Sequence, residues 1–183
     1  MSNIRIVIVE DNPADVLMVK EALKSNGITF SLEHYSNGED AAKAVTTMIE
    51  APNLFLLDLN VPRVHGLELL RIIRACPMVA GTPVAIITSS PAAEDRRLSE
   101  QYGADTYIVK PMGYHEFVAS VSAAVGTLLK RKPGGRCRLS VARSYPLSAR
   151  PKVMIKRCVG EKNDSLTCPD TPAFKRGRSP LRD

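Results

Sequence analysis

IRIVIVEDNP, residues 4–13, runs from an apolar stretch into two carboxylates, Glu10 and Asp11, and then into Asn12-Pro13. A second stretch, LFLLD at residues 54–58, ends in the same way, on Asp58. If the two runs are neighbouring parallel strands, all three carboxylates meet at one edge of one sheet. Three anions so close repel one another, which raises their proton affinity or demands a cation. Hard oxygen ligands at such a spot suit Mg²⁺, which keeps several waters and binds beside phosphates. A carboxylate poised there is also able to act as a nucleophile toward phosphoryl groups.

The remaining body repeats the pattern. Phe30–Tyr35, Val84–Thr88 and Thr106–Val109 join Ile4–Val9 and Leu54–Leu57 as strand candidates. Several are nearly continuous Val/Ile/Leu, as expected of strands covered on both faces. Helical segments lie between them. Asn12 and Pro13 are suited to cap and open the first, with Val16, Val19 and Leu23 as its apolar stripe and Gly27 as its stop. The second is expected from Asn37-Gly38 to about Ile49, the third from Gly66 to Ala75 before Pro77, and the fourth from Ser90-Pro91 to Gly103. The fifth runs from Tyr114 to about Lys130, with Phe117, Val121, Ala124 and Leu128 on one face. Five repeats of strand then helix predict an α/β fold with a doubly wound parallel sheet. In such sheets ligands bind beyond the carboxyl ends of the strands, where the strand order switches. Glu10, Asp11 and Asp58 all stand at carboxyl ends, as do Thr88 and Lys110. A hydroxyl and an ammonium are what a bound phosphoryl group would use.

Charge divides the chain. Residues 1–129 hold 10 lysines and arginines against 15 carboxylates, a balance of −5, whereas residues 130–183 hold 15 against 4, a balance of +11. The boundary is marked by Lys130-Arg131-Lys132-Pro133-Gly134-Gly135-Arg136. Beyond it prolines recur and no helical or strand period persists, so a disordered basic tail is expected. Its composition also resembles a frame-shifted reading. The cysteines, Cys76, Cys137, Cys158 and Cys168, form no CxxC pair, which argues against zinc and for reduced thiols in a cytoplasmic protein. Ile4–Val9 is too short for a signal peptide and no stretch approaches a membrane span.

Taken together, Glu10-Asp11, Asp58, Pro62 to Gly66, Gly66-Leu67-Glu68-Leu69-Leu70, Thr88, Tyr107 and Lys110-Pro111 resemble the receiver domain of two-component response regulators, the CheY-like fold. Thr88 lies 30 residues past Asp58 and Lys110 lies 52 past it, and the likeness covers nearly all of residues 3–129. The segments Val9 to Asp15 and Leu57 to Pro62 look most like stand-alone receivers that partner bacterial phytochrome-type histidine kinases.

The resemblance implies a flavodoxin-like sheet of order 2-1-3-4-5 with five helices, a receiver domain at residues 3–130 and a tail at 131–183. Asp58 is then the phosphoacceptor, supplied by a sensor histidine kinase or phosphotransfer protein. Mg²⁺ is held by Asp11, Asp58 and the backbone carbonyl of Asn60, with Glu10 acting mainly through water. Thr88 and Lys110 hold phosphoryl oxygens, and Thr88 with Tyr107 switches the surface around the fourth and fifth helices, through which a homodimer is also admitted. The Lys110–Pro111 bond is expected to be cis. The chain is expected to be a phosphoacceptor with at most slow self-dephosphorylation, not an enzyme. His65 departs from the family, standing where an aspartate usually precedes Gly66 and caps the third helix, a loss worth about 1 kcal/mol. His65 could serve as a loose substitute for that cap or touch the phosphorylated loop, but an exposed loop residue is the favoured expectation, with His34 and His115 as surface residues.

Each residue alone has a plainer reading: a solvated turn for Glu10-Asp11, a turn aspartate for Asp58, a helix start for Thr88-Ser89-Ser90, a loop for Lys110-Pro111, sheet packing for Tyr107. Five such coincidences in order are what the receiver reading replaces. Two other classes remain. Asp58-Leu59-Asn60 is similar to the Asp-x-Asp of haloacid-dehalogenase-like phosphohydrolases, but position 60 lacks the second aspartate and the nucleophile follows the third strand, not the first. A transcriptional regulator using the tail would need periodic apolar helices after Lys130, and none is visible. Basic charge alone supports only salt-sensitive, non-specific contact with nucleic acid.

Overall fold

The computed structural model describes residues 4–27 and 29–130. The expected disordered tail and three of the four cysteines lie outside the described residues. The element order is β1 (Ile4–Val9), α1 (Pro13–Ser25), β2 (Phe30–Tyr35), α2 (Gly38–Thr47), β3 (Leu54–Leu57), α3 (Gly66–Ala75), β4 (Val84–Thr88), α4 (Ala93–Gln101), β5 (Thr106–Val109) and α5 (Tyr114–Leu129). All pairings are parallel, and the sheet order is β2-β1-β3-β4-β5. This is the doubly wound, flavodoxin-like arrangement expected from the strand–helix repeat.

Alternation along each strand explains why the runs are apolar throughout. Ile6, Ile8, Leu54, Leu56, Ala85 and Ile87 face α1 and α5, meeting Val16, Val19, Leu23, Phe117, Val121 and Leu128. Val7, Val9, Phe55, Leu57, Val84 and Ile86 face the other way, onto Val45, Leu69, Leu70 and Ile73 of α2 and α3. Each such Val, Leu, Ile or Phe side chain, fully buried, contributes roughly 1.5–3 kcal/mol. Removing water from both faces leaves a strand no polar side, so its sequence loses the polar half of the usual period.

Helix boundaries follow local chemistry. Asn12 caps α1 by accepting the Ala14 N–H at 3.0 Å, with Pro13 in the first turn. Asn37 caps α2 through the Asp40 N–H at 2.9 Å. That helix ends at Thr47, short of the expected Ile49, and the Thr46 and Thr47 hydroxyls turn back to the Lys43 carbonyl. α4 starts later than the Ser90-Pro91 signal suggested. Ser90 instead spends its hydroxyl on the Asp95 carboxylate at 2.6 Å, and α4 begins without a side-chain cap. On α5 the buried stripe uses Val125, with Ala124 only half-buried. His65 is exposed, as expected, yet it also replaces the missing aspartate: its Nδ1 accepts the Leu67 N–H at 3.3 Å, capping α3. Among the described residues no helix is long and apolar enough to cross a membrane.

Candidate functional site

Register decides what the strand ends bring together. Val9 is level with Leu57, Leu57 with Ile86, and Thr88 with Val109. The residues that follow therefore emerge side by side: Glu10-Asp11, Asp58 and Lys110. Backbone bonds fix their heights, Asp58 N–H to Val9 O at 2.9 Å and Lys110 N–H to Thr88 O at 2.8 Å. β1 lies between β2 and β3, so the strand order switches there, and the three carboxylates stand at that switch point.

Oxygens of Glu10, Asp11 and Asp58 all lie within 4.8 Å of one another. Glu10 and Asp58 are buried and Asp11 is exposed. Lys110 completes the cluster. Its Nζ donates to Glu10 Oε2 and Asp58 Oδ2, each at 2.7 Å, and to Asp15 Oδ2 at 2.8 Å. Burial pushes the Glu10 carboxyl up to about 7, the Lys110 ammonium offsets part of that shift, and the neighbouring Asp58 charge adds to it. Burial works against the Lys110 charge, but the bonds to Asp15, Asp58 and Glu10 outweigh it and raise the lysine above its ordinary value. The donor set is all carboxylate oxygen with one exposed member, which fits a hard divalent cation that keeps water.

Asp58 Oδ1 accepts the Asn60 N–H at 3.0 Å, closing the start of the β3–α3 loop. Gly66 lets that loop return: a Cβ there would lie 2.3 Å from the Asp58 carbonyl oxygen. Thr88 is fully buried, and its Oγ1 accepts the Ser90 N–H at 3.3 Å, leaving its own O–H to donate. Tyr107 is half-buried, donating its hydroxyl to Ser90 O at 2.9 Å, while the Arg96 guanidinium stacks 4.6 Å from its ring centre. His34 sits beside the site through its backbone contact, Nε2 to Glu10 O at 2.8 Å, and His115 is exposed.

One expectation fails. No cis peptide occurs among the described residues, so the Lys110–Pro111 bond is trans. Trans is the lower-energy isomer even before proline, and Lys110, pinned through its N–H, reaches Glu10, Asp15 and Asp58 along its own four-carbon stem. One residue was missed: Asp15. It lies four residues after Asp11, one turn into α1, so the capped helix start places it over the same strand ends. Asp11 precedes the Asn12 cap and is outside the helix, so no helical spacing in the sequence ties Asp15 to it.

An acidic pocket at the switch point of a 2-1-3-4-5 sheet, closed by a lysine from the last strand, defines a receiver. Residues 6–122 match the response regulator receiver domain, and the chain belongs to that family. Over 119 residues it is 34% identical to the DNA-binding response regulator MtrA of Mycolicibacterium smegmatis, covering 65% of this chain and 49% of MtrA. The chain spans about half the length of this and other curated relatives it matches. Among solved structures it is similar to the phosphorylated cyanobacterial phytochrome response regulator RcpA, with TM-score 0.67, 26% identity and coverage of 73% of this chain and 100% of that one. The Mn²⁺-bound form of response regulator Rcp1 gives TM-score 0.64 and 28% identity, over 70% and 96% of the two chains.

Proposed function

We propose that residues 3–130 form a receiver domain in which Asp58 accepts a phosphoryl group from a phosphohistidine of a sensor histidine kinase or phosphotransfer protein. The observation that carries this reading is the cluster at the strand switch point, where oxygens of Glu10, Asp11 and Asp58 lie within 4.8 Å of one another and Lys110 bonds to Glu10 and Asp58. An Asp58 carboxylate oxygen forms the new bond to phosphorus while the phosphorus–nitrogen bond of the donor breaks. Asp11, Asp58 and the Asn60 carbonyl would hold Mg²⁺, with Glu10 contributing charge at one remove. When bound, the ion supplies positive charge beside the phosphoryl oxygens. Lys110 adds a second cation, and Thr88 donates its free O–H. Movement of Thr88 would break its contact with Ser90, whose carbonyl holds Tyr107, so the α4–β5–α5 face senses the site. Exposed Met112 and Tyr114 lie on that side and suit protein contact, a homodimer included.

The test is phosphorylation by acetyl phosphate with Mg²⁺, read as intact mass and mapped by peptide. A single added phosphoryl group on Asp58, lost in excess chelator, is expected. Labelling at another residue, or full labelling without metal, would refute the reading.

The same site predicts pH dependence of metal binding. Below about 7 the buried Glu10 carries its proton, because its folded value is raised. A cation must then displace that proton, so affinity falls by up to about tenfold per pH unit below that point. Titration calorimetry with Mg²⁺ across the neutral range measures this, and Glu10→Gln should flatten the profile. A wild-type profile already flat from weakly acid to weakly alkaline pH would contradict it.

A further inference from the structure

We propose that Asp15 is a positioning residue for Lys110, its lasting partner while the other contacts of the lysine change; this rests on Asp58 being the phosphoacceptor. An ammonium has three N–H donors. All three are taken here, by Glu10, Asp58 and Asp15. Glu10 and Asp58 also belong to the oxygen group suited to a metal ion, and Asp15 does not. When a cation and a phosphoryl group enter, Asp58 becomes an acyl phosphate, a mixed anhydride whose remaining carbonyl oxygen has lost the carboxylate charge, and Glu10 turns its charge toward the metal. Both then divide their oxygens between Lys110 and the arriving groups. Asp15 alone of the three is claimed by nothing else.

Asp15 is presented from a well-defined helix start. Its helix turn is fixed by the Asn12 cap, by Pro13 and by the Val16 N–H bonded to Asn12 O at 3.2 Å. Its side chain is 15% exposed and that of Lys110 is 11% exposed. An ammonium so far from water is costly to leave unpartnered. Held by Asp15, it keeps one N–H engaged and swings the other two toward the arriving oxygens. Asp15 thus ties the start of α1 to the end of β5 across the phosphoacceptor.

Two measurements test this. The first needs no phosphate donor: side-chain ammonium NMR of ¹⁵N-lysine protein with Mg²⁺ bound. Lys110 protons are expected to exchange slowly in the wild type and about tenfold faster or more in Asp15→Asn, with partial recovery in Asp15→Glu, since the lost contact is one of few shields from water. Unchanged exchange in Asp15→Asn overturns the proposal. The second is a double-mutant cycle of phosphorylation rates. Asp15→Asn should slow labelling about tenfold, as a misaimed group does, while shifting Mg²⁺ affinity less than about threefold. In a Lys110→Ala background the same change should add nothing. An equal further loss there would show that Asp15 acts independently of Lys110. If the wild type takes no phosphate at all, the reading of Asp58 fails, and the exchange measurement still decides the role of Asp15.

Discussion

Asp58→Asn is expected to take up no phosphoryl group from acetyl phosphate or from a phosphorylated kinase, while keeping its fold. An amide oxygen lacks the charge that makes the carboxylate a nucleophile. The shape survives the change: the Asn side-chain oxygen is still able to accept the Asn60 N–H now held at 3.0 Å. Lys110 keeps Glu10 and Asp15, so no buried cation is stranded. One of the mutually repelling anions is removed as well. The melting temperature without metal should therefore stay within a few degrees of the wild type, because the loss of one ion pair is offset by relief of repulsion. Intact mass and a thermal melt on the same preparation separate chemistry from folding. Undiminished labelling of the variant would move the nucleophile to another carboxylate, with exposed Asp11 the first to examine.

The strands were legible because their cause is local. A run such as Leu54–Leu57, buried on both faces, has to be apolar at every position, and its end is visible as the first carboxylate. The site was legible for the same reason: strand ends are marked in sequence, and register then makes them neighbours. Helix edges were less clear. Ser90-Pro91 is a good start signal, but the Ser90 hydroxyl is diverted to Asp95, a partner that only the folded loop supplies. The stripe of α5 was misplaced by one residue, from Val125 to Ala124, because its upper turns are apolar on several sides and period alone does not choose a face. His65 resisted sequence reading because an imidazole nitrogen caps a helix only at one ring orientation. Asp15 needed knowledge that β5 delivers a lysine above α1. Tertiary partners of this kind leave no trace in the neighbouring sequence, least of all when they are backbone carbonyls.

Arg74 is the extreme example, and Arg74→Ala should be strongly destabilising although the side chain lies outside the apolar core. Its guanidinium gathers the end of the molecule opposite the phosphoacceptor. Nη1 donates to Ala80 O at 3.0 Å and Thr82 O at 2.7 Å, in the connection leading to β4. Nε and Nη2 donate to Gly103 O at 3.1 Å and 2.8 Å, in the turn leading to β5. Nη2 also meets Asp105 Oδ2 at 3.1 Å, and that oxygen accepts the Val84 N–H at 3.0 Å. The side chain is 21% exposed and that of Asp105 is 29% exposed, so water replaces these bonds poorly. Removing one member of such a part-buried charged network costs about 3 kcal/mol, because the Ala80, Thr82 and Gly103 carbonyls lose a charged donor and Asp105 loses its ion pair with Arg74. For a domain of this size that lowers the melting temperature by roughly 10 °C. Arg74→Lys should recover little, since a single ammonium cannot span the forked set of acceptors. Urea unfolding of the three proteins measures the loss. Phosphorylation of Arg74→Ala at low temperature should remain near wild type, because β4 and β5 stand between Arg74 and Lys110. A loss below about 1 kcal/mol would mean that water satisfies these carbonyls as well as Arg74 does.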